Sequence, residues 1–361
     1  MKKIYGVFRG FPGLGRVSSG IALLQEFQNM EYEIAGISYL QGQEALRKQN
    51  VSQLFKYKIE PCDITSIGIN PITGFANKII EMIIKNQPDM VIIDGEPLLE
   101  STLCDVYPKE KIIALLNPTD LENETLPVST MKFYHKNYLS ASNAIVHGIG
   151  IKNANKIYKG CNINYIATIL RKEVVDIAHS TTFTNRIIGV LGGGTVNSSR
   201  SFADSTISMG RKIIEIGKML SDYEFYVYCN DYSIKRAIEK NVSVPANTNI
   251  VAEYVSPAVM YSNIRLVIAR AGRNVISELL YLNIPGLLIA TSGDYRSKEQ
   301  EKNINMIINE SNNLFDKFNI DDDTSILADK ILLKLKEKKH TSGFIPGNDH
   351  AIHIIKSILE V

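Results

Sequence analysis

The chain has 361 residues, more than a single hydrophobic core usually sustains, so two domains are the starting expectation. Hydrophobic residues make up 45% and charged residues 22%, an ordinary globular balance, and a formal net charge of +2 gives no electrostatic reason for a nucleic-acid partner. No apolar stretch reaches the length of a membrane span, and the N-terminal apolar run is short and broken by Arg9, unlike a secretory signal. Cys62, Cys104, Cys161 and Cys229 are scattered without a C-x-x-C pair, which argues against a disulfide framework or a zinc site and for a reduced cytoplasm.

In chain order, "KIYGVF" (3–8) reads as a short buried strand entering a Gly/Pro-rich turn. Helical periodicity follows over 17–30, and 32–39 reads as the next strand. A helix around 72–86 leads to the strand "MVIID" (90–94). Further strands are expected at 111–116 and 143–148. Short apolar runs alternating with helices predict a parallel sheet covered on both faces. The pattern restarts at "RIIGVLGGG" (186–194). A helix near 204–220 follows, then strands at 224–229, 248–254, 266–272 and 285–290. A terminal helix after Pro346 closes the chain. The expected fold class is α/β, with two tandem doubly wound domains facing a cleft. The expected boundaries are 1–168, 169–345 and a C-terminal helix over 346–361. Segments 47–61 and 131–139 mix Lys with Tyr and Phe; they read as solvated loops, and the alternative is peripheral contact with an anionic membrane or a lipid-linked acceptor. "KLKEKKH" (334–340) reads as a solvated helix end.

Ligands of open α/β sheets bind beyond the carboxyl ends of the strands, so the residues following each strand hold the chemistry. Gly10, Gly13 and Gly15 lie between the first strand and the first helix, with Arg16, Ser18 and Ser19 at the helix start. Their spacing does not match G-x-G-x-x-G, so a tight turn is the competing reading. Asp94 and Glu96 end the third strand, where either carboxylate could serve as a base or merely cap a helix. Gly193, Gly194 and Thr195 expose several amides suited to a diphosphate, and no Walker lysine follows. Arg270, Ala271 and Gly272 end another strand, with Arg273 at the next helix start. Asn274 and Glu278 share one face of that helix, and the carboxylate could accept hydrogen bonds from a ribose diol. Glu299, Gln300 and Asn303 recur at helical spacing after the following strand. His350 and His353 lie on the terminal helix and make no convincing metal site.

The stretch "RAGRNVISELLYLNIPGLLIATSGDYRSKEQEKN" resembles the nucleotide-sugar motif of GT-B glycosyltransferases. It is most similar to the branch of the peptidoglycan N-acetylglucosaminyltransferase and the UDP-glucuronosyltransferase-like proteins. "GFPGLGRVSSGIALLQEF" resembles the family's N-terminal loop and helix, "PDMVIIDGEPLL" its D-x-V-I-S-D-x-E-P segment, "ATILRKEV" its linker and "VLGGGT" the turn opening its C-terminal domain. Ala290 stands where the family often has proline.

The resemblance implies two Rossmann-like domains, an N-terminal one for the acceptor and a C-terminal one for the donor. It implies that Glu278 binds the ribose hydroxyls. The Ala271–Gly272 turn and the amides of Gly193, Gly194 and Thr195 would hold the diphosphate, while Glu299, Gln300 and Asn303 would lie near the sugar. The terminal helix would return to the first domain. One departure matters: Arg16 stands where the family usually has a catalytic or acceptor-contacting histidine, and an arginine cannot act as a base. Asp94 or Glu96, with Asp120 behind them, would then take the proton, or Arg16 would orient an acceptor already anionic. The expected function is inverting, metal-independent transfer from a nucleotide-sugar donor, a UDP-sugar first, to a small-molecule, glycan or lipid-linked acceptor, with no cofactor. The alternatives are a nucleotide-sugar hydrolase or epimerase on the same fold, and a non-catalytic binding partner.

Overall fold

A computed structural model describes residues 1–10, 13–54, 76–177, 184–192, 200–290, 295–311, 313–337 and 342–360, with backbone alone for 200–202 and 295–297. The chain divides into two compact units, Met1–Lys172 with Pro346–Val361, and Glu173–Ile345.

The first unit is built on the strands β1 (Lys3–Phe8), β2 (Glu33–Ile37), β3 (Met90–Asp94), β4 (Ile112–Leu116), β5 (Asn143–Gly148), β6 (Ala154–Tyr158) and β7 (Cys161–Ala167). Their order across the sheet is β2-β1-β3-β4-β5-β7-β6. The pairings are parallel except for the β6–β7 hairpin at one edge. The central strands are continuous apolar runs because helices cover both faces; β3 and β4 are buried at every position. The hairpin escaped the sequence reading because β6 is exposed along most of its length and offers no apolar run. Lys159 and Gly160 turn it, both with positive φ, the turn whose twist matches a hairpin.

The second unit carries β8 (Arg186–Val190), β9 (Glu224–Tyr228), β10 (Thr248–Val251), β11 (Leu266–Arg270), β12 (Gly286–Ile289) and β13 (Phe315–Lys317), ordered β10-β9-β8-β11-β12-β13 and parallel throughout. In each sheet the strand order reverses beside the first strand. The switch points therefore lie at the ends of β1 and β3 in one unit, and of β8 and β11 in the other. Those ends carry Arg9 and Asp94, and Leu191 and Arg270.

The terminal helix Asn348–Leu359 belongs to the first unit's core. Ala351, Ile352, Ile355 and Leu359 pack in one cluster with Val17, Ile21 and Leu24 of the helix Gly15–Asn29. Asn348 also clamps the segment after β7. Its Oδ1 accepts from Leu170 N, and its Nδ2 donates to Leu170 O, both at 2.9 Å.

Two segments read as solvated are only partly so. Residues 131–139 are not a loop: Val128–Tyr138 is a helix, and its last residue, Tyr138, is buried. Lys334, in the helix Thr324–Lys336, is also buried, with its ammonium donating to Asn313 O and Glu337. In both cases an amphipathic side chain hides its apolar length, which residue polarity alone does not reveal. No described helix is long and apolar enough to cross a membrane.

Candidate functional site

At the β1/β3 switch point the register sets Phe8 beside Asp94. Arg9 follows one strand, and Gly95 and Glu96 follow the other. Gly95 has φ +90, and an added Cβ would come within 2.7 Å of both Arg16 Cδ and Arg9 Cβ. The chain thus needs glycine where two arginine side chains pass. Gly10 is equally constrained, since its Cβ would lie 1.9 Å from Tyr39 O. The loop after β1 is therefore seated on the loop after β2.

Arg16, one residue into the helix Gly15–Asn29, points back over β3. Its Nη1 donates to Asp94 Oδ1, and its Nη2 donates to Asp120 Oδ1 at 2.7 Å. Asp120 sits in the short helix Pro118–Leu121 after β4, where its Oδ2 accepts from Asn117 N at 2.8 Å. Burial works against the charge on Arg16, but Asp120 and then Asp94 outweigh it and hold the guanidinium well above its ordinary value. Asp94, read as a candidate base, is thus the partner of a permanent cation. Arg16, read as a possible acceptor contact, is committed to two carboxylates.

Glu96 stands apart from that bridge. Tyr39 Oη donates to Glu96 Oε1 at 2.5 Å, and both residues are buried. Burial pushes the Glu96 carboxyl up to about 7, against the opposing pull of Arg9, the Tyr39 hydroxyl and Arg16. One turn on, Glu100 is fully buried in the helix Pro97–Val106, and neither carboxyl oxygen has a hydrogen-bond partner among the described residues. Burial, then Asp120 and Asp94, lift it well above the ordinary carboxylate range, favouring its protonated form. Tyr138, from the helix misread as a loop, borders the same cluster, and burial and Asp120 raise its phenol. Tyr39, Glu100 and Tyr138 were all missed in the sequence. Only Glu100 left a signal there, four residues after Glu96 on an otherwise apolar helix.

At the β8/β11 switch point, Gly193, Gly194 and Thr195 lie outside the described residues. Arg270 is buried, and its Nη2 donates to Thr206 Oγ1 at 2.7 Å and reaches Ser205 Oγ at 3.5 Å, both on the helix Arg200–Met219. Its Cδ lies beside Gly192, the last described residue before the glycine turn. At the Ala271–Gly272 turn, the backbone amides of the turn itself are engaged within the fold. Ala271 N donates to Ile289 O at 2.9 Å, extending the β11–β12 ladder, and Gly272 N donates to Arg270 O at 2.7 Å. The ladder of the helix Arg273–Leu282 begins with Ile276 N on Gly272 O. Its first-turn amides, at Arg273, Asn274 and Val275, have no carbonyl of their own helix to bond, and they carry the positive end of its dipole.

Of the residues singled out after the next strand, Asn303 reaches the turn that ends β11. Asn303 Nδ2, on the helix Tyr295–Glu310, donates to Ala271 O at 3.3 Å. Arg273 Nε donates to Asn274 Oδ1 at 3.2 Å. Glu299 is exposed and Gln300 half-buried on that same later helix. Glu278 is fully buried, and Tyr261 Oη donates to its Oε2 at 3.0 Å. Tyr261 was not anticipated, because it follows the short helix Pro257–Met260 and no spacing links it to Glu278.

No protein-family model matches the chain, and no curated protein matches it by sequence. Solved structures do match. MurG of Acinetobacter baumannii aligns over 100% of both chains, at 13% identity and a TM-score of 0.58. The glycosyltransferase SnogD from Streptomyces nogalater aligns over 99% of both, at 13% identity and a TM-score of 0.56. The UDP-GlcNAc 2-epimerase from Neisseria meningitidis, solved bound to UDP-GlcNAc, aligns over 99% of this chain and 100% of its own, at 11% identity and a TM-score of 0.61. At such identities the likeness is one of fold, and this chain shares with these proteins the GT-B architecture of two Rossmann-like α/β domains.

Proposed function

We propose that the protein is a glycosyltransferase that takes its sugar from a nucleotide diphosphate donor, a UDP-sugar first, and passes it with inversion to an acceptor hydroxyl. The observation that carries this reading is the assembly at the end of β11. Buried Arg270, the start of the helix Arg273–Leu282 and Asn303 from the following helix are drawn to one turn. Breaking the bond at the anomeric carbon leaves charge on the diphosphate. Arg270, Arg273 and the first-turn amides would take up that charge, so the reaction as proposed needs no metal. Glu278, steadied by Tyr261, is the group for the ribose hydroxyls. The acceptor falls to the first unit, and its class, whether small molecule, glycan or lipid-linked, is open to assay.

Calorimetric titration with UDP, GDP, TDP and CDP tests the reading. Selective micromolar binding of one nucleotide supports a donor site, and absence of binding to all four moves a non-catalytic role to the front. Epimerisation of a nucleotide sugar is the second reading, favoured by the likeness to the Neisseria meningitidis epimerase. Incubating UDP-N-acetylglucosamine with the protein and no acceptor separates the two. Inversion at the sugar C2, seen by proton NMR, selects the epimerase.

A further inference from the structure

Arg16 cannot act as a base, so the proposed transfer needs another proton acceptor. Four acids surround the β1/β3 switch point, and the structure separates them. Asp94 and Asp120 are both bonded to the Arg16 guanidinium. Accepting a proton there would break a charge-assisted bond and leave a buried arginine under-compensated. Glu100 is fully buried, with both carboxyl oxygens shut away from solvent, so an acceptor cannot reach it. Glu96 remains. It is held through one oxygen only, by Tyr39 Oη, and its carboxylate makes no other hydrogen bond among the described residues.

We propose that Glu96 receives the acceptor's proton and that Tyr39 is its positioning residue, an assignment that rests on the glycosyl-transfer reading above. Tyr39 is fixed independently of Glu96. Its carbonyl seats Gly10, and its neighbour Ser38 donates through Oγ to Phe8 O at 2.7 Å. The phenol is therefore presented by two interlocked loops, on strands that flank and include the central strand of the switch point. The bond from Tyr39 engages Oε1, and Oε2 is the oxygen assigned to the acceptor's proton. In the step, the acceptor O–H bond breaks and its proton passes to Glu96 Oε2. The acceptor oxygen's electron pair forms the bond to the anomeric carbon. The bond from that carbon to the donor diphosphate breaks, and its pair leaves with the nucleoside diphosphate. The charged groups facing Glu96 are Arg9 after β1, Arg16 on the helix Gly15–Asn29 and Asp94 on β3, with Tyr39 after β2. A carboxyl that titrates near neutrality among them suits a base working at neutral pH.

The test is a carbon-13 NMR titration of side-chain carboxyls in glutamate-labelled full-length protein, with Glu96→Gln assigning the resonance. The same samples are titrated with UDP by calorimetry. UDP release from UDP-glucose, UDP-galactose, UDP-N-acetylglucosamine and UDP-glucuronate, with water as acceptor, is followed from pH 5 to 9. The expected result is a Glu96 midpoint near neutrality that rises by about one pH unit in Tyr39→Phe, since the lost bond favoured the charged form. The rising limb of UDP release moves up with it, and Glu96→Gln loses about a hundredfold or more in rate. UDP affinity stays within twofold in both variants. A Glu96 midpoint in the ordinary carboxylate range, or one unmoved by Tyr39→Phe, overturns the assignment while UDP binding leaves the donor reading standing. A UDP-release profile indifferent to both substitutions does the same. Failure of the wild-type protein to bind UDP, GDP, TDP or CDP removes the donor reading and this assignment together.

Discussion

Arg16 Nη2 donates to Asp120 Oδ1 at 2.7 Å, joining residues 104 positions apart, and the same guanidinium holds Asp94. One cation thus ties the first helix to the ends of β3 and β4. A buried pair broken from one side leaves an uncompensated charge, and here two carboxylates would be left. Arg16→Met should therefore cost about 3–5 kcal/mol in urea unfolding. The triple variant with Asp94→Asn and Asp120→Asn should recover most of that loss. A loss below about 1 kcal/mol for Arg16→Met would show that the bridge is not structural.

Glu100 offers a second measurement. Its folded pKa lies well above the unfolded 4.5. Such an acid supports the fold fully below the unfolded pKa, and that support is lost as pH climbs toward the folded value. Glu100→Met removes two unsatisfied oxygens at similar volume. It should raise stability at pH 7–8 by about 1–3 kcal/mol and flatten the decline above pH 4.5. A residual slope up to about 7 should remain from Glu96, and should go in the double variant with Glu96→Gln. An unchanged pH profile in Glu100→Met would place its titration in the ordinary range.

Glu278 is buried and bonded to Tyr261, so its truncation cannot be assumed harmless to the fold. Glu278→Gln keeps the volume and the acceptor for Tyr261. It should weaken UDP binding by about tenfold or more, through the loss of a charged acceptor, with little change in thermal midpoint. Tyr261→Phe should weaken UDP less. Equal UDP affinity in the wild type and Glu278→Gln would detach this residue from the ribose.

Asn348→Ala leaves both the N–H and the carbonyl of Leu170 without their partner. A loss of about 1–3 kcal/mol is expected for each orphaned group that water cannot reach. Asn348→Asp restores an acceptor for Leu170 N but sets a carboxylate against Leu170 O, so it should fall between Asn348→Ala and the wild type. Denaturant midpoints rank the three.

Much of the fold was legible because its central strands are pure apolar runs. The strands at 3–8, 90–94 and 143–148 sit where the sequence placed them, since burial on both faces admits little else. The edges were not legible. β6 is exposed, β13 is three residues long, and the helix Val128–Tyr138 mixes lysines with aromatics. At the site, residues that follow strands could be listed, because topology directs ligands there. What they do to one another could not. Arg16 meets Asp120, Tyr39 meets Glu96 and Tyr261 meets Glu278 only through strand order, and nothing in their spacing announces it. The turn at Ala271–Gly272 could be placed from the sequence, but that its own two amides are engaged within the fold is decided by backbone hydrogen bonds alone.

The terminal helix has a consequence for synthesis. A ribosome delivers β1 to β7 early, yet the cluster around Val17, Ile21 and Leu24 is completed by Ile352, Ile355 and Leu359, which emerge only after the second unit. The first half of the chain must wait, with an apolar face uncovered, while the whole second unit is made. Nascent chains stalled before residue 346 should expose that face to chaperones and proteases, and emergence of the helix Asn348–Leu359 should close it.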